Sequence, residues 1–280
     1  MTMKWGRITW LLLTLSGVLF ACNGMENSEP LEELPAQEIY EQAEILLKNN
    51  LNREASDLFA KIERLYPYSK LAKQSLIMSA FANHQGGFYV QCREDSRRFL
   101  DFYPADKNAA RAQYLIALSF YDQIDNVSRD QSVTFEAIQA FRNVIERYPN
   151  SEYASPALLK FDLSLDHLAG KEMEIGRYYQ KRGHFGAAIA RFRVVVEEFQ
   201  TTSHTPEALH RLVESYLSLG LSANAQTAGA ILGHNFQASD WYKDTYVLLS
   251  GQGLSTETVD NEGSSWLNNL WRQVGQGKWL

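Results

Sequence analysis

The chain has 280 residues, 45% of them hydrophobic and 21% charged, with 17 glycines and 7 prolines. That composition excludes a globally disordered polymer and a collagen-like fibre, and supplies a core for one large domain or two small ones. The formal charge of −6 has no basic run to offset it, which argues against a nucleic-acid partner, and two cysteines cannot build a disulfide scaffold.

Lys4 and Arg7 form a short positive start, followed over residues 8–20 by an apolar stretch broken only by Thr9, Thr14, Ser16 and Gly17. This is too short to cross a hydrocarbon layer of roughly 30 Å but suits the core of a signal peptide. It ends in Leu19-Phe20-Ala21-Cys22, which resembles a bacterial lipobox. The resemblance implies cleavage before Cys22, diacylation of its thiol and acylation of the new amino terminus. The competing reading is a plain secretory signal with a coincidental cysteine. Each buried CH₂ contributes about 0.8 kcal/mol, so several acyl chains anchor far more firmly than one. Asn23 in place of Asp points to the outer membrane. Loss of residues 1–21 leaves 25 basic against 33 acidic side chains, and lipid on Cys22 leaves Cys92 without a covalent partner. Residues 22–35, with Glu26, Glu29, Glu32, Glu33 and two prolines, read as a lipidated flexible tether.

From residue 36 the chain repeats itself. Glu63-Arg64-Leu65-Tyr66-Pro67, Asp101-Phe102-Tyr103-Pro104 and Glu146-Arg147-Tyr148-Pro149 each end a helical pattern on an aromatic residue and proline, and Glu197-Glu198-Phe199-Gln200 is a degenerate copy. The fourth-position intervals of 37, 45 and 51 residues fit a unit of about 34 with insertions, the period of tetratricopeptide repeats. With Pro67 at position 32, the small and aromatic packing positions fall on Ala43, Ala55 and Phe59. The same rule gives Gly176, Tyr179, Ala188 and Phe192 in the fourth copy, and Ala137 and Phe141 in the third. In the second copy Ala80 fits, but Cys92 and Ser96 replace the expected Ala and Phe; a fifth copy carries Tyr216 and Ala225. Small residues let two helices approach closely, aromatics fill the space between hairpins, and proline stops the second helix. Phe135, Ile138, Phe141, Val144, Ile145 and Tyr148 fall on one apolar stripe at helical spacing. The predicted fold is all-α, a tetratricopeptide-repeat solenoid of about five helix hairpins over residues 36–250.

Two insertions interrupt the array. Residues 122–133 are polar and predict a surface loop inside the third repeat. Residues 153–182 predict a long helix joining repeats three and four, with Gly170 as a candidate kink. Residues 251–264 read as a linker. In the tail, residues 265–280, Trp266, Leu267, Leu270, Trp271 and Val274 share one helical face. That amphipathic helix is either a cap on the last repeat or an anchor for a partner or the membrane interface.

No motif carries catalysis. There is no glycine-rich phosphate cradle, HExxH, GxSxG or CxxC, and the six histidines are scattered through different repeats. Cys92 occupies a small-residue packing position and reads as a buried, inert thiol. The sequence therefore predicts no enzyme, no cofactor, no metal and no catalytic residue.

The lipobox, the acidic tether, five repeats and the long joining helix, in that order, resemble the BamD/ComL family. These are outer-membrane lipoproteins of the β-barrel assembly machinery. The resemblance covers roughly residues 19–250. It is carried by Glu38-Ile39-Tyr40, Arg64-Leu65-Tyr66-Pro67-Tyr68-Ser69, the segment from Arg147 to Tyr153, and most specifically the segment from Tyr178 to Arg191. It implies a scaffold on the periplasmic side of the outer membrane. The C-terminal repeats would dock the POTRA domain of the central, BamA-type barrel component, beside other Bam lipoproteins. The N-terminal repeats would receive C-terminal signals of unfolded outer-membrane proteins. Motif matching assigns Tyr66 to the substrate side, and Arg182, Gly183 and Arg191 to the partner side. The competing readings are repeat packing for Tyr66 and a solvated surface role for Arg191. A hairpin stack offers a groove for an extended peptide, with Tyr40, Tyr66 and Phe81 as its aromatic surfaces. The loop after Tyr66-Pro67 is shorter than in the enteric form, and the tail beyond Gly251 has no counterpart there. The alternatives are a generic tetratricopeptide envelope lipoprotein, such as a secretin pilot or a division adaptor, and a cell-wall enzyme or its regulator.

Overall fold

The computed structural model describes residues 34–126, 130–256 and 265–276; Cys22 and most of the acidic tether lie outside them. Among the described residues, twelve helices and no strand make this an all-α tetratricopeptide-repeat fold. Ten helices run in chain order as five A/B pairs. These are α1 (Ala36–Lys48) and α2 (Asn52–Leu65), α3 (Lys70–Gln85) and α4 (Tyr89–Phe102), and α5 (Ala109–Tyr121) and α6 (Ser132–Arg147). They continue with α7 (Ala154–Lys181) and α8 (Phe185–Glu198), then α9 (Thr205–Ser218) and α10 (Ser222–Asn235). Two more close the chain, α11 (Asp240–Ser250) and α12 (Ser265–Gly275). The chain divides into two compact units between Ala82 and Asn83.

The repeat is written in two kinds of turn. Between the A and B helices, four pairs close the same way, with a left-handed residue at Asn50, Gly87, Gly183 or Gly220, at φ of 59°, 75°, 76° and 74°. In each, that residue's N–H bonds the carbonyl three positions back, and the next N–H reaches back five, as in Gly183 to Gln180 and His184 to Tyr179, both 3.0 Å. This double closure satisfies carbonyls that the helix end would leave bare, and glycine adopts the required φ without strain. The third pair has the insertion at that place. Its polar loop ends at Gln131, because Ser132 and Val133 already belong to α6. After each B helix, the aromatic residue itself is the cap: Tyr66, Tyr103, Tyr148, Phe199 and Phe236 all lie near φ −130°. A following proline disfavours the helical region for the residue before it, and Phe199 and Phe236 adopt the same turn before glutamine.

Packing follows the small and aromatic positions. In the first unit Ala43, Ala55 and Phe59 are fully buried, and the Tyr40 ring meets Phe59 edge-on at 5.2 Å between centroids. Tyr40 is thus a core residue rather than part of a peptide-receiving surface. In the second unit Ala137, Phe141, Ala188, Phe192 and Ala225 are fully buried and Tyr216 nearly so. Phe135, in the first turn of α6, departs from its predicted stripe: it is 56% exposed. Cys92 is buried with its Sγ 3.8 Å from the Leu115 carbonyl, and burial pushes the thiol up to about 12, which makes it unreactive.

Helix α7 has 28 residues, about 42 Å at the α-helical rise, and passes unbroken through the buried Gly170. The first half of α7 joins the core of the third pair through Ala157, Tyr153 and Phe161. Its second half, from Ala169 through Met173, joins the core of the last two pairs. Helix α12 lies against α10, burying Leu267, Leu270 and Val274 in that same core. Trp271 meets His234 at 5.8 Å, and the Arg193 guanidinium lies 4.8 Å from the Trp266 ring centroid. The amphipathic face is therefore spent on a cap, at about 1.5–3 kcal/mol per buried aliphatic side chain. No helix among the described residues is long and apolar enough to cross a membrane.

In the fourth pair, a Cβ at Gly176 would intrude on the Phe192 ring. Gly176→Ala is expected to destabilise the protein by about 1–3 kcal/mol in chemical denaturation. Gly186→Ala, where a Cβ meets open space, is expected to be neutral or stabilising by less than about 1 kcal/mol.

Candidate functional site

Three of the four residues assigned to interaction lie on one supersecondary unit, the α7–α8 hairpin. Arg182 caps α7 at the hairpin tip, where it is exposed and its guanidinium lies 4.5 Å from the centroid of the half-exposed Tyr178 ring. The turn built on Gly183 follows it, and α8 then carries Arg191 roughly 9 Å further along its axis. Arg191 donates from Nη1 to Glu172 Oε2 of α7 at 3.1 Å, with its side chain 43% exposed against 20% for Glu172. One nitrogen of the fork is thus held by the protein while much of the guanidinium faces solvent.

Gly183 has a second explanation. It takes the same left-handed turn as Asn50, Gly87 and Gly220, so hairpin geometry accounts for it without any partner. Tyr66 lies in the first unit. It caps α2, packs against the core there, and its hydroxyl donates to the Leu34 carbonyl at 2.6 Å. The same cap position is filled by Tyr103, Tyr148, Phe199 and Phe236, so only that hydroxyl contact is particular to Tyr66.

Beside the hairpin, α7 is tied to α9 by a run of alternating charges. Arg177 Nη1 donates to Glu207 Oε2 at 3.0 Å, Arg211 Nε to Glu207 Oε1 at 3.4 Å, and Arg211 Nη1 to Glu214 Oε2 at 2.8 Å. Gln180 adds bonds to Glu214 and to the Ser215 hydroxyl, at 3.1 and 3.3 Å. The buried His210 sits 2.8 Å from the Thr245 hydroxyl and 3.5 Å from Glu214. Burial by itself would raise the Glu214 carboxyl, but the hydrogen bonds from His210 and Arg211 outweigh it and hold the group down at about 2.

The family of outer membrane lipoproteins named YfiO matches residues 32–231 of this chain. The outer membrane protein assembly factor BamD of Caulobacter vibrioides is 43% identical to it, over 95% of this chain and 90% of the relative. That of Rickettsia prowazekii is 38% identical over 88% and 98%, and that of Neisseria meningitidis serogroup A 29% over 82% and 91%. The chain belongs to the BamD family.

Sequence reasoning about this BamD-family chain found the arginines of the hairpin but missed what holds them. Glu172 is an ordinary helical residue with no motif of its own, and its pairing with Arg191 depends on helix register across the turn; Tyr178 stands four residues before Arg182 on the same helix, a spacing that the sequence itself offers. The Arg177–Glu207–Arg211–Glu214 run is half legible, because the spacings from Glu207 to Arg211 and Glu214 fit one helical face; the link to α7 is not.

Glu214 gives this region an acid limit. Its lowered pKa stabilises the fold fully above the ordinary carboxylate value near 4.5, and that contribution is lost as pH falls towards about 2. Glu214→Gln is therefore expected to cost about 1–2 kcal/mol at pH 6, allowing for solvent screening, with the difference from the parent vanishing near pH 2. Urea titrations across that range check it. Gly183→Ala is expected to cost about 1–2 kcal/mol through backbone strain alone, read from the same titrations at pH 7, since nothing crowds the added methyl.

Proposed function

We propose that this chain is an outer-membrane protein assembly factor: a scaffold, not an enzyme, lipid-anchored through Cys22 and facing the periplasm. It takes part in inserting β-barrel proteins into the outer membrane as a component of the β-barrel assembly machinery. The observation that carries this reading is full-length similarity to proteins named for that task, over 95% of the chain in the Caulobacter relative. The α7–α8 hairpin supports the finer part. It presents Arg182 and Arg191 as half-free guanidinium groups, suited to carboxylates on the POTRA domain of the central barrel component. Gly183 enters this reading by shaping the tip rather than by contact. Other Bam lipoproteins would share the complex, and unfolded outer-membrane proteins would be received in the first unit near Tyr66.

Mild detergent extraction of the tagged lipoprotein, followed by mass spectrometry of the co-purified material, tests the proposal. A stoichiometric POTRA-bearing barrel is expected. Arg191→Glu is expected to weaken that complex at least tenfold, because it places a carboxylate against both Glu172 and the acidic partner, while Arg191→Lys keeps part of it. Recovery of a secretin or of division proteins without such a barrel would instead favour a generic envelope adaptor.

A further inference from the structure

The outward side of the first half of α7 carries apolar surface that the fold does not use. Leu158, Leu159 and Leu163 are 49%, 62% and 49% exposed, whereas the core of the third pair takes Ala157 and Phe161 from the same stretch. Asp162 is exposed among them, and Asp166 follows four residues on, so leucines and carboxylates share one helical face. Large apolar side chains grouped in the open in this way mark a contact surface rather than a core.

Beside Leu163 that face runs into a cleft of about 520 Å³, lined by Asp166, His167, Glu174 and Arg177 of α7 and by His204 at the start of α9. Asp166 is held ready there. Its Oδ1 accepts from the Ser203 backbone N–H at 2.9 Å and from the Ser203 hydroxyl at 2.7 Å, and His204 Nε2 stands 3.5 Å from Oδ2. His167 Nε2 is buried with no hydrogen-bond partner among the described residues, a polar atom that the fold leaves unanswered. Ridge and cleft together are acidic: Asp162, Asp166 and Glu174 stand against Arg177, which is already bonded to Glu207 at 3.0 Å. Lys160 and Arg142 are turned to aromatic rings, 4.2 Å from the Tyr121 centroid and 5.7 Å from that of Phe161. Lys171 falls about 120° round the helix from Leu159.

We propose that this face docks a basic amphipathic helix of a partner protein. The apolar side chains of that helix cover Leu158, Leu159 and Leu163, and its lysines or arginines meet Asp162 and, at the cleft, Asp166 and Glu174. Apolar burial supplies affinity, and the opposed charges supply orientation and selectivity. A second copy of this chain would set the same carboxylates against one another, and lipid phosphates would meet the same repulsion, so a basic protein segment is the occupant that the charges select. The proposal is independent of the docking role given to Arg182 and Arg191.

Fluorescence anisotropy on the purified full chain in non-ionic detergent, at about 0.15 M salt and with empty micelles as the blank, tests it. The probe is a labelled, end-blocked peptide, Lys-Leu-Ala-Lys-Ala-Leu-Lys-Lys-Leu-Ala-Lys-Ala-Leu-Lys, whose leucines recur at helical spacing. The parent is expected to bind it saturably at one site, and counterparts with Glu for every Lys or Ala for every Leu at least tenfold more weakly. Leu159→Ala combined with Leu163→Ala, and separately Asp162→Lys, are each expected to weaken the probe at least threefold. Glu198→Lys, the same reversal of charge on an exposed side chain at the end of α8, is expected to leave binding within twofold of the parent. Absence of saturable binding overturns the proposal, as does either counterpart bound within tenfold of the probe. A loss below threefold in either face variant overturns it as well. So does a loss beyond twofold in Glu198→Lys, because attraction to the net charge would then account for the binding.

Discussion

The fold depends on how closely the two helices of a pair can approach. Where small residues face the partner helix, as Ala43 and Ala55 do in the first pair and Gly176 and Ala188 in the fourth, an aromatic ring can fill the remaining space. Phe59 and Phe192 are such rings, both fully buried. Widening the approach would strand the ring and open a void, so the small residue and the aromatic hold each other in place. The left-handed turns at Asn50, Gly87, Gly183 and Gly220 serve the same end. They reverse the chain within very few residues while bonding the helix's last carbonyls, which lets the B helix start against the A helix rather than away from it.

Helix α7 shows how the array absorbs an insertion without losing its core. The added residues remain helical, and their two ends belong to different hydrophobic cores, one with α6 and one with α8 through α10. A rod shared in this way is stiff, and the charge run from Arg177 to Glu214 fixes its second half against α9. The hairpin tip therefore projects from a well-held base, and Arg182 and Arg191 are positioned by the helices instead of by a mobile loop. If, as proposed, this surface meets a partner, such pre-organisation means that less freedom is lost on binding.

Polar groups divide accordingly into those the fold has satisfied and those it has left open. Glu214, Gln180 and His210 are bonded within the protein and give the last pairs rigidity and an acid limit. The Ser75 hydroxyl and His167 Nε2 are buried with no hydrogen-bond partner among the described residues. The difference is a matter of neighbours, not of residue type.

Much of this architecture is legible in the sequence by itself. The aromatic-proline endings, their spacing, and the small residues at Ala43, Ala55, Gly176 and Ala188 determine an all-α repeat, because each of these features acts through local geometry or through contact one helix away. The order of those motifs also marks the family, and with it the hairpin arginines. What the sequence could not decide is which residue answers which across the turns. The burial of Tyr40 and exposure of Phe135 depend on neighbouring helices, as does the choice of α12 between cap and anchor. The clasp of Glu172 on Arg191 is likewise settled by the register of packed helices. Periodicity assigns a residue to a face; only the tertiary structure says what that face meets.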